Sequence, residues 1–182
     1  MNECKKICFL DIETTGFSRE WDDILQVAGI IYDPEAKIVL NSFEKFIKPK
    51  KPINKMIEQL TGITNKKVAD CDNEFIVLNE FVEWIYLNQP DLLVGHNIDA
   101  FDMSFINTKL KRYRLEPVDK KTFDTLKFAR KLGKAGKLPT PNFKQETLAQ
   151  HYGIEYGAHN AMEDIKALIK IYERMMVEVN EK

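Results

Sequence analysis

Residues Ile7-Cys8-Phe9-Leu10 run straight into Asp11-Ile12-Glu13-Thr14-Thr15-Gly16, and this stretch restricts the fold more than any other part of the chain. Side chains alternate along an extended strand, so Ile7 and Phe9 point one way while Cys8, Leu10 and Ile12 point the other. A strand that is apolar on both faces belongs inside a sheet covered on both sides. That selects an α/β architecture with helices packed against each face. Asp11 and Glu13 fall on the Ile7 and Phe9 face, roughly 6 to 7 Å apart. Burying unpaired carboxylates costs several kcal/mol, so the pair calls for cations. Hard carboxylate oxygens suit Mg²⁺ or Mn²⁺ better than zinc. Were the strand to end earlier, the two would be ordinary solvated loop acids.

The spacing alone says little. With 28 acidic residues in 182, about four acidic pairs at i, i+2 arise by chance and the chain has five. The pairs 20/22, 33/35, 70/72 and 72/74 lie in polar, turn-like segments where solvated charge is expected. Context, not count, singles out 11/13.

Downstream, Ile24 to Tyr32 and Lys37 to Ile47 are β-rich runs joined by Asp33-Pro34-Glu35-Ala36, which predicts a hairpin. Phe75, Leu78, Phe81, Val82 and Ile85 recur at helical spacing, with Asp72 or Asn73 as a cap and Pro90 as the stop. The short strand Leu92-Leu93-Val94 then leads through Gly95-His96-Asn97 into a helix carrying Phe101, Phe105, Ile106 and Leu110. Residues 133 to 142, with two glycines and two prolines, form the expected mobile loop. A last helix begins near Asn160 and buries Ala161, Ile165, Leu168, Tyr172, Met175 and Val179. At 44% hydrophobic content, residues 1–182 make one domain with a single core.

Lys+Arg 27 against Asp+Glu 28 leaves no overall basic field, so contact with a polyanion must be local. Basic clusters at residues 48–51, 109–114 and 130–137 could track phosphates or be solvated faces. No apolar run approaches the roughly 18 to 20 residues of a membrane span, and no signal sequence opens the chain, so a cytoplasmic location is expected. Cys4, Cys8 and Cys71 are expected as free thiols.

Two further segments carry acids at element ends. "GHNIDAFDMSFI", residues 95–106, puts Asp102 in a first helical turn; "AHNAMEDIKA", residues 158–167, puts His159 in a loop and Asp164 in the first turn of the last helix. An acid in a first turn is usually a cap, and Asp124 before Thr125-Leu126 is read as one. His151 follows Leu148 and Ala149 in an amphipathic helix and is read as surface or core. In order, the motifs Asp-x-Glu-Thr-Thr-Gly, His-Asn-x-x-x-Phe-Asp and His-x-Ala-x-x-Asp resemble those of the DEDD exonucleases. The closer likeness is to the histidine subclass, which includes the proofreading epsilon subunit of bacterial DNA polymerase III. The tyrosine subclass would place Tyr where this chain has Asn160.

The resemblance covers nearly the whole chain and implies a ribonuclease H-like fold, a five-stranded mixed sheet with an antiparallel second strand. It implies Asp11, Glu13, Asp102 and Asp164 as acids holding two divalent cations, Mg²⁺ or Mn²⁺, and His159 as general base. Substrate contacts are expected from Thr14, Thr15, Gly16 and Phe17, from Thr61 in Leu60-Thr61-Gly62-Ile63, and from His96, Asn97 and Phe101. Phe101 serves equally well as core, and His96 could merely close the strand end. The implied activity is 3′-to-5′ hydrolysis of DNA ends, single-stranded or mismatched, to 5′-mononucleotides in proofreading or repair. Implied partners are nucleic acid, DNA ahead of RNA, and a DNA polymerase subunit. Unlike epsilon-type proofreaders, this sequence ends within a few residues of its last helix. An exoribonuclease of the ribonuclease T or oligoribonuclease type is the alternative, and a non-catalytic nucleic-acid-binding module a third reading.

Overall fold

The structure, a computed structural model, describes residues 6–157 and 160–180, apart from the side chains of residues 179 and 180. Five strands form one sheet in the order β3-β2-β1-β4-β5, where β1 is Ile7–Thr14, β2 Ile24–Asp33, β3 Ile38–Phe46, β4 Leu92–Gly95 and β5 Thr122–Asp124. β1 pairs antiparallel with β2 and parallel with β4, so the sheet is mixed and its second strand antiparallel, as the resemblance implies. β1 occupies the centre. Its two apolar faces explain why: Cys8, Leu10 and Ile12 pack with residues of helices α3 (Glu74–Asn88) and α4 (Asp102–Arg112), while Ile7 and Phe9 pack under α7 (Ala161–Asn180). Each fully buried Ile, Leu or Phe contributes roughly 1.5 to 3 kcal/mol, which holds β1 between the two layers. The remaining helices are α1 (Lys55–Thr61), α2 (Asn65–Val68), α5 (Thr125–Lys134) and α6 (Gln145–His151).

The β1–β2 ladder shifts register between Glu13 and Thr14. Regular pairing therefore ends at the second acid, and the chain turns away into residues 15–23. The predicted hairpin is present as β2 and β3, antiparallel throughout. The fifth strand has only three residues and pairs parallel with β4.

The α3 face differs from expectation. Asn73 caps the helix through its side chain on Ile76 N–H, but the buried positions are Glu74, Val77, Leu78, Phe81 and Ile85. Phe75 is instead 45% exposed, edge-on to Tyr113 at 5.5 Å between centroids. Glu74 takes the inward place because it meets a lysine of α4 and the tyrosine that follows the helix. In α7, Ala161, Ile165, Leu168 and Met175 are buried as predicted and Tyr172 packs against the cluster of the first three, whereas Val179's side chain lies outside the described residues. The expected loop at 133–142 begins inside α5, and Leu138 anchors it in the core. Gly133 is required there: a Cβ would lie 2.3 Å from the Phe143 ring. No helix among the described residues is long and apolar enough to cross a membrane.

Candidate active site

The end of β1, the first turn of α4 and the first turn of α7 converge on one point. Carboxylate oxygens of Asp11, Glu13 and Asp164 all lie within 4.8 Å of one another. Asp102 stands beside them: its Oδ1 accepts the backbone N–H of Ile12, between the two β1 acids, at 3.2 Å. Asp102 and Asp164 are buried, whereas Asp11 and Glu13 are partly open on the same side.

Capping does not account for Asp164. Asn160 does that work, its Oδ1 accepting from Met162 N–H at 3.1 Å and Glu163 N–H at 3.2 Å, which leaves the Asp164 carboxylate to the acid cluster. Asp124 by contrast is the cap it was read as, accepting from Leu126 and Lys127 N–H. It also accepts Asn97 N–H at 3.1 Å and so fixes the turn that delivers Asp102.

Burial and mutual repulsion raise the proton affinity of the cluster. Asp11 is held well above the carboxylate range by burial, then by Asp102, Glu13 and Asp164. Burial and Asp164 push Glu13 up to about 7. Asp102 is raised by burial and by Asp124 and Glu13, against the opposing pull of backbone N–H groups. Among the described residues no lysine or arginine forms an ion pair with Asp11, Glu13 or Asp102. Several hard oxygens gathered at short range are a donor set that fits a divalent ion.

Tyr156 is a site residue the motifs did not reveal. Burial and its hydrogen bond to Asp164 raise its phenol, which therefore stays protonated and donates to that carboxylate. It lies in an irregular segment with no helical or strand periodicity to flag it. His159, expected as the base, lies outside the described residues.

Beside Glu13 opens a mostly apolar groove of about 530 Å³, lined by Glu13, Thr14, Gly16, Phe17, Thr61 and Phe101 among others. Phe17 is 90% exposed and stands edge-on to Phe101 at 6.3 Å; Phe101 in turn packs on Phe105. Phe101 thus serves both groove and core. Thr61 presents little free hydroxyl, since it donates to Ile57 O and accepts from Ile63 N–H. The Thr14 hydroxyl donates to Gly16 O, and the Thr15 hydroxyl accepts Asp23 N–H. Gly16 has a local reason of its own, because a Cβ there would lie 2.4 Å from the Asp22 carboxylate.

His96 and Asn97 do not line the groove. His96 Nδ1 lies 3.0 Å from Thr125 Oγ1, and burial lowers the ring to about 4, so the imidazole is neutral and joins β4 to α5. Asn97 takes a left-handed turn with φ 69°. His151 is exposed at the end of α6. The basic cluster at 109–114 also changes meaning, since Lys109 is fully buried and Arg112 bonds the Glu20 carbonyl.

Residues 8–172 match the exonuclease family RNase_T. The chain is 36% identical over 156 residues to a DNA polymerase III PolC-type protein of Listeria welshimeri, a match covering 84% of this chain and 10% of that protein. It therefore spans about a tenth of the length of such relatives. Among solved structures, Escherichia coli exonuclease I in complex with a dT13 oligonucleotide superposes with a TM-score of 0.81 at 23% identity, covering 96% of this chain and 41% of that one. The nuclease domain of 3′hExo, a DEDDh family member bound to rAMP, superposes with a TM-score of 0.79 at 20% identity, covering 97% and 94%. These likenesses place the sheet in the ribonuclease H-like fold. From the family match and the fold together, the chain belongs to the exonuclease family.

Proposed function

We propose that the chain is a metal-dependent 3′-to-5′ exonuclease that removes 5′-mononucleotides from single-stranded or mismatched DNA ends. The observation that carries this is the meeting of Asp11, Glu13 and Asp164 within 4.8 Å, with Asp102 alongside, at the mouth of an apolar groove. Two divalent cations, Mg²⁺ or Mn²⁺, held by these four acids would supply charge neutralisation at the phosphate and a lowered pKa for the attacking water. The residues of the chain do the rest. Phe17 and Phe101 offer aromatic surface that stacks on or wedges between the last bases of a strand, and stacking contributes about 1 to 3 kcal/mol per base. Tyr156 orients Asp164, and Asp124 orients the turn carrying Asp102. In this reading His159, with an ordinary pKa near 6.5, takes the proton of the attacking water. The bond from phosphorus to the departing 3′-oxygen then breaks.

The PolC-type relatives support DNA, because the matching stretch there belongs to a DNA polymerase. The rAMP-bound neighbour keeps an exoribonuclease as the second reading. Residues 1–182 act as one catalytic domain in either case, with a DNA polymerase as the proposed partner in the first. The test compares 5′-labelled single-stranded DNA, mismatched-end duplex and RNA with Mn²⁺, using Asp11→Ala as control. A ladder shortening from the 3′ end of DNA, absent in the control, is expected. Equal rates on DNA and RNA would remove the preference for DNA, and undiminished activity in the control would remove the mechanism.

A further inference from the structure

The side chain of Lys109 is 0% exposed and is among the largest fully buried in the molecule. A lysine that only filled volume would be better replaced by leucine or methionine, since burying an ammonium costs several kcal/mol unless it is paired. Its pairing is specific. The Nζ donates to the backbone carbonyl of Asp22, lies 3.9 Å from Glu74 Oε1 and sits 5.8 Å above the Phe105 ring. Glu74, itself 3% exposed, accepts Ile24 N–H at 3.2 Å and the Tyr113 hydroxyl at 2.9 Å. One buried network therefore joins the start of β2, the first turn of α3 and the last half of α4.

The carbonyl that Lys109 grips belongs to the irregular segment 15–23, which carries Phe17 to the groove. This segment closes on itself: Thr15 N–H donates to Asp23 O, Asp22 N–H to Ser18 O, and Ser18 N–H to the Asp22 carboxylate. Three bonds fasten the resulting knot to α4, from Arg19 to Ser104, from Arg112 to Glu20 O and from Lys109 to Asp22 O. The first two are exposed, where water competes for both partners. Only the third is shielded from water at the lysine. Along α4, Asp102, Phe105 and Lys109 follow at i, i+3 and i+7 and share a face. The same rigid face thus presents an acid to β1, a ring to Phe101 and an ammonium to the knot.

We propose that Lys109 is a positioning residue for the substrate end: a buried strut on α4 that holds the 15–23 segment, and with it Phe17, in place edge-on to Phe101 at the groove. The proposal rests on the exonuclease reading for its substrate, but not for its mechanical part. Lys109 touches no reacting atom and acts through the segment it holds.

Two measurements on Lys109→Met test it. The first is trypsin cleavage after Arg19 in the folded chain, which needs no activity. The second is kcat/KM with Mn²⁺ for a single-stranded oligonucleotide and for a p-nitrophenyl ester of thymidine monophosphate, which has no second base for Phe17 to meet. Faster cleavage at Arg19, and an oligonucleotide-to-ester ratio lowered by about tenfold through KM, are expected. Unchanged cleavage overturns the strut. Faster cleavage with an unchanged ratio overturns the link to substrate. Equal losses on both substrates show a support of the whole acid site and also overturn it. Should Lys109→Met fail to fold, Lys109→Met with Glu74→Gln removes the stranded carboxylate, and the same readings on that pair decide. A wild-type chain inactive on both substrates defeats the exonuclease reading, while the cleavage measurement still judges the strut.

Discussion

Replacing Glu13 with glutamine should make the metal-free chain more stable at pH 8 while removing its nuclease activity. The carboxyl titrates near 4.5 ordinarily and near 7 in the folded chain, where burial and Asp164 disfavour its charge. Between those values the folded chain keeps a proton that the unfolded chain has released, so stability falls as pH rises through the window and stays lower above it. The shift corresponds to about 3 kcal/mol at pH 8 and close to nothing at pH 4. Glutamine keeps the shape and carries no charge, and it relieves Asp11 and Asp102, both of which Glu13 repels. For a domain of this size about 3 kcal/mol moves Tm by roughly 6 to 12 °C. The assay is thermal unfolding in EDTA at pH 4 and pH 8, repeated with Mn²⁺. Wild type should gain stability from Mn²⁺ at pH 8 and little at pH 4, and Glu13→Gln should gain less at either pH. Equal melting of the two chains at pH 8 without metal would refute the electrostatic account of the site.

Gly133→Ala should destabilise the chain by about 1 to 3 kcal/mol despite the better helix propensity of alanine, because the new methyl meets the Phe143 ring; denaturant unfolding measures it. Asp124→Ala removes a helix cap together with the bond to Asn97 N–H, with an expected loss of about 1 to 3 kcal/mol and a lower kcat as the Asp102 turn loosens. Phe17→Ala should raise KM for single-stranded DNA by about tenfold with little change in stability, since the ring is exposed; steady-state kinetics and a melting curve check both halves.

Much of the site was legible in the sequence because its signals are local. The alternation around Phe9 and Leu10 marks a central strand whatever follows it, and the position of Asp11 and Glu13 on one face comes from a period of two. The 3.6-residue repeat of α7 is equally local, as are the three acidic motifs. β5 escaped because three residues cannot display a period. Phe75 and Glu74 exchange the environments their sequence positions suggest, since a helix face has no single partner until Lys109 of α4 and the following Tyr113 come to meet it.

Sequence alone therefore determined the longer periodic elements, which way β1 faces and which acids stand at element ends. Only the packed chain decided that Asp11, Glu13 and Asp164 share a space of 4.8 Å, that Asn160 takes over the capping and leaves Asp164 to the cluster, and that Lys109 turns inward to Asp22 rather than outward to phosphate. Periodicity is set by neighbours along the backbone. Proximity between remote side chains depends on how the layers above and below β1 close, and burial then fixes the charge each one can carry.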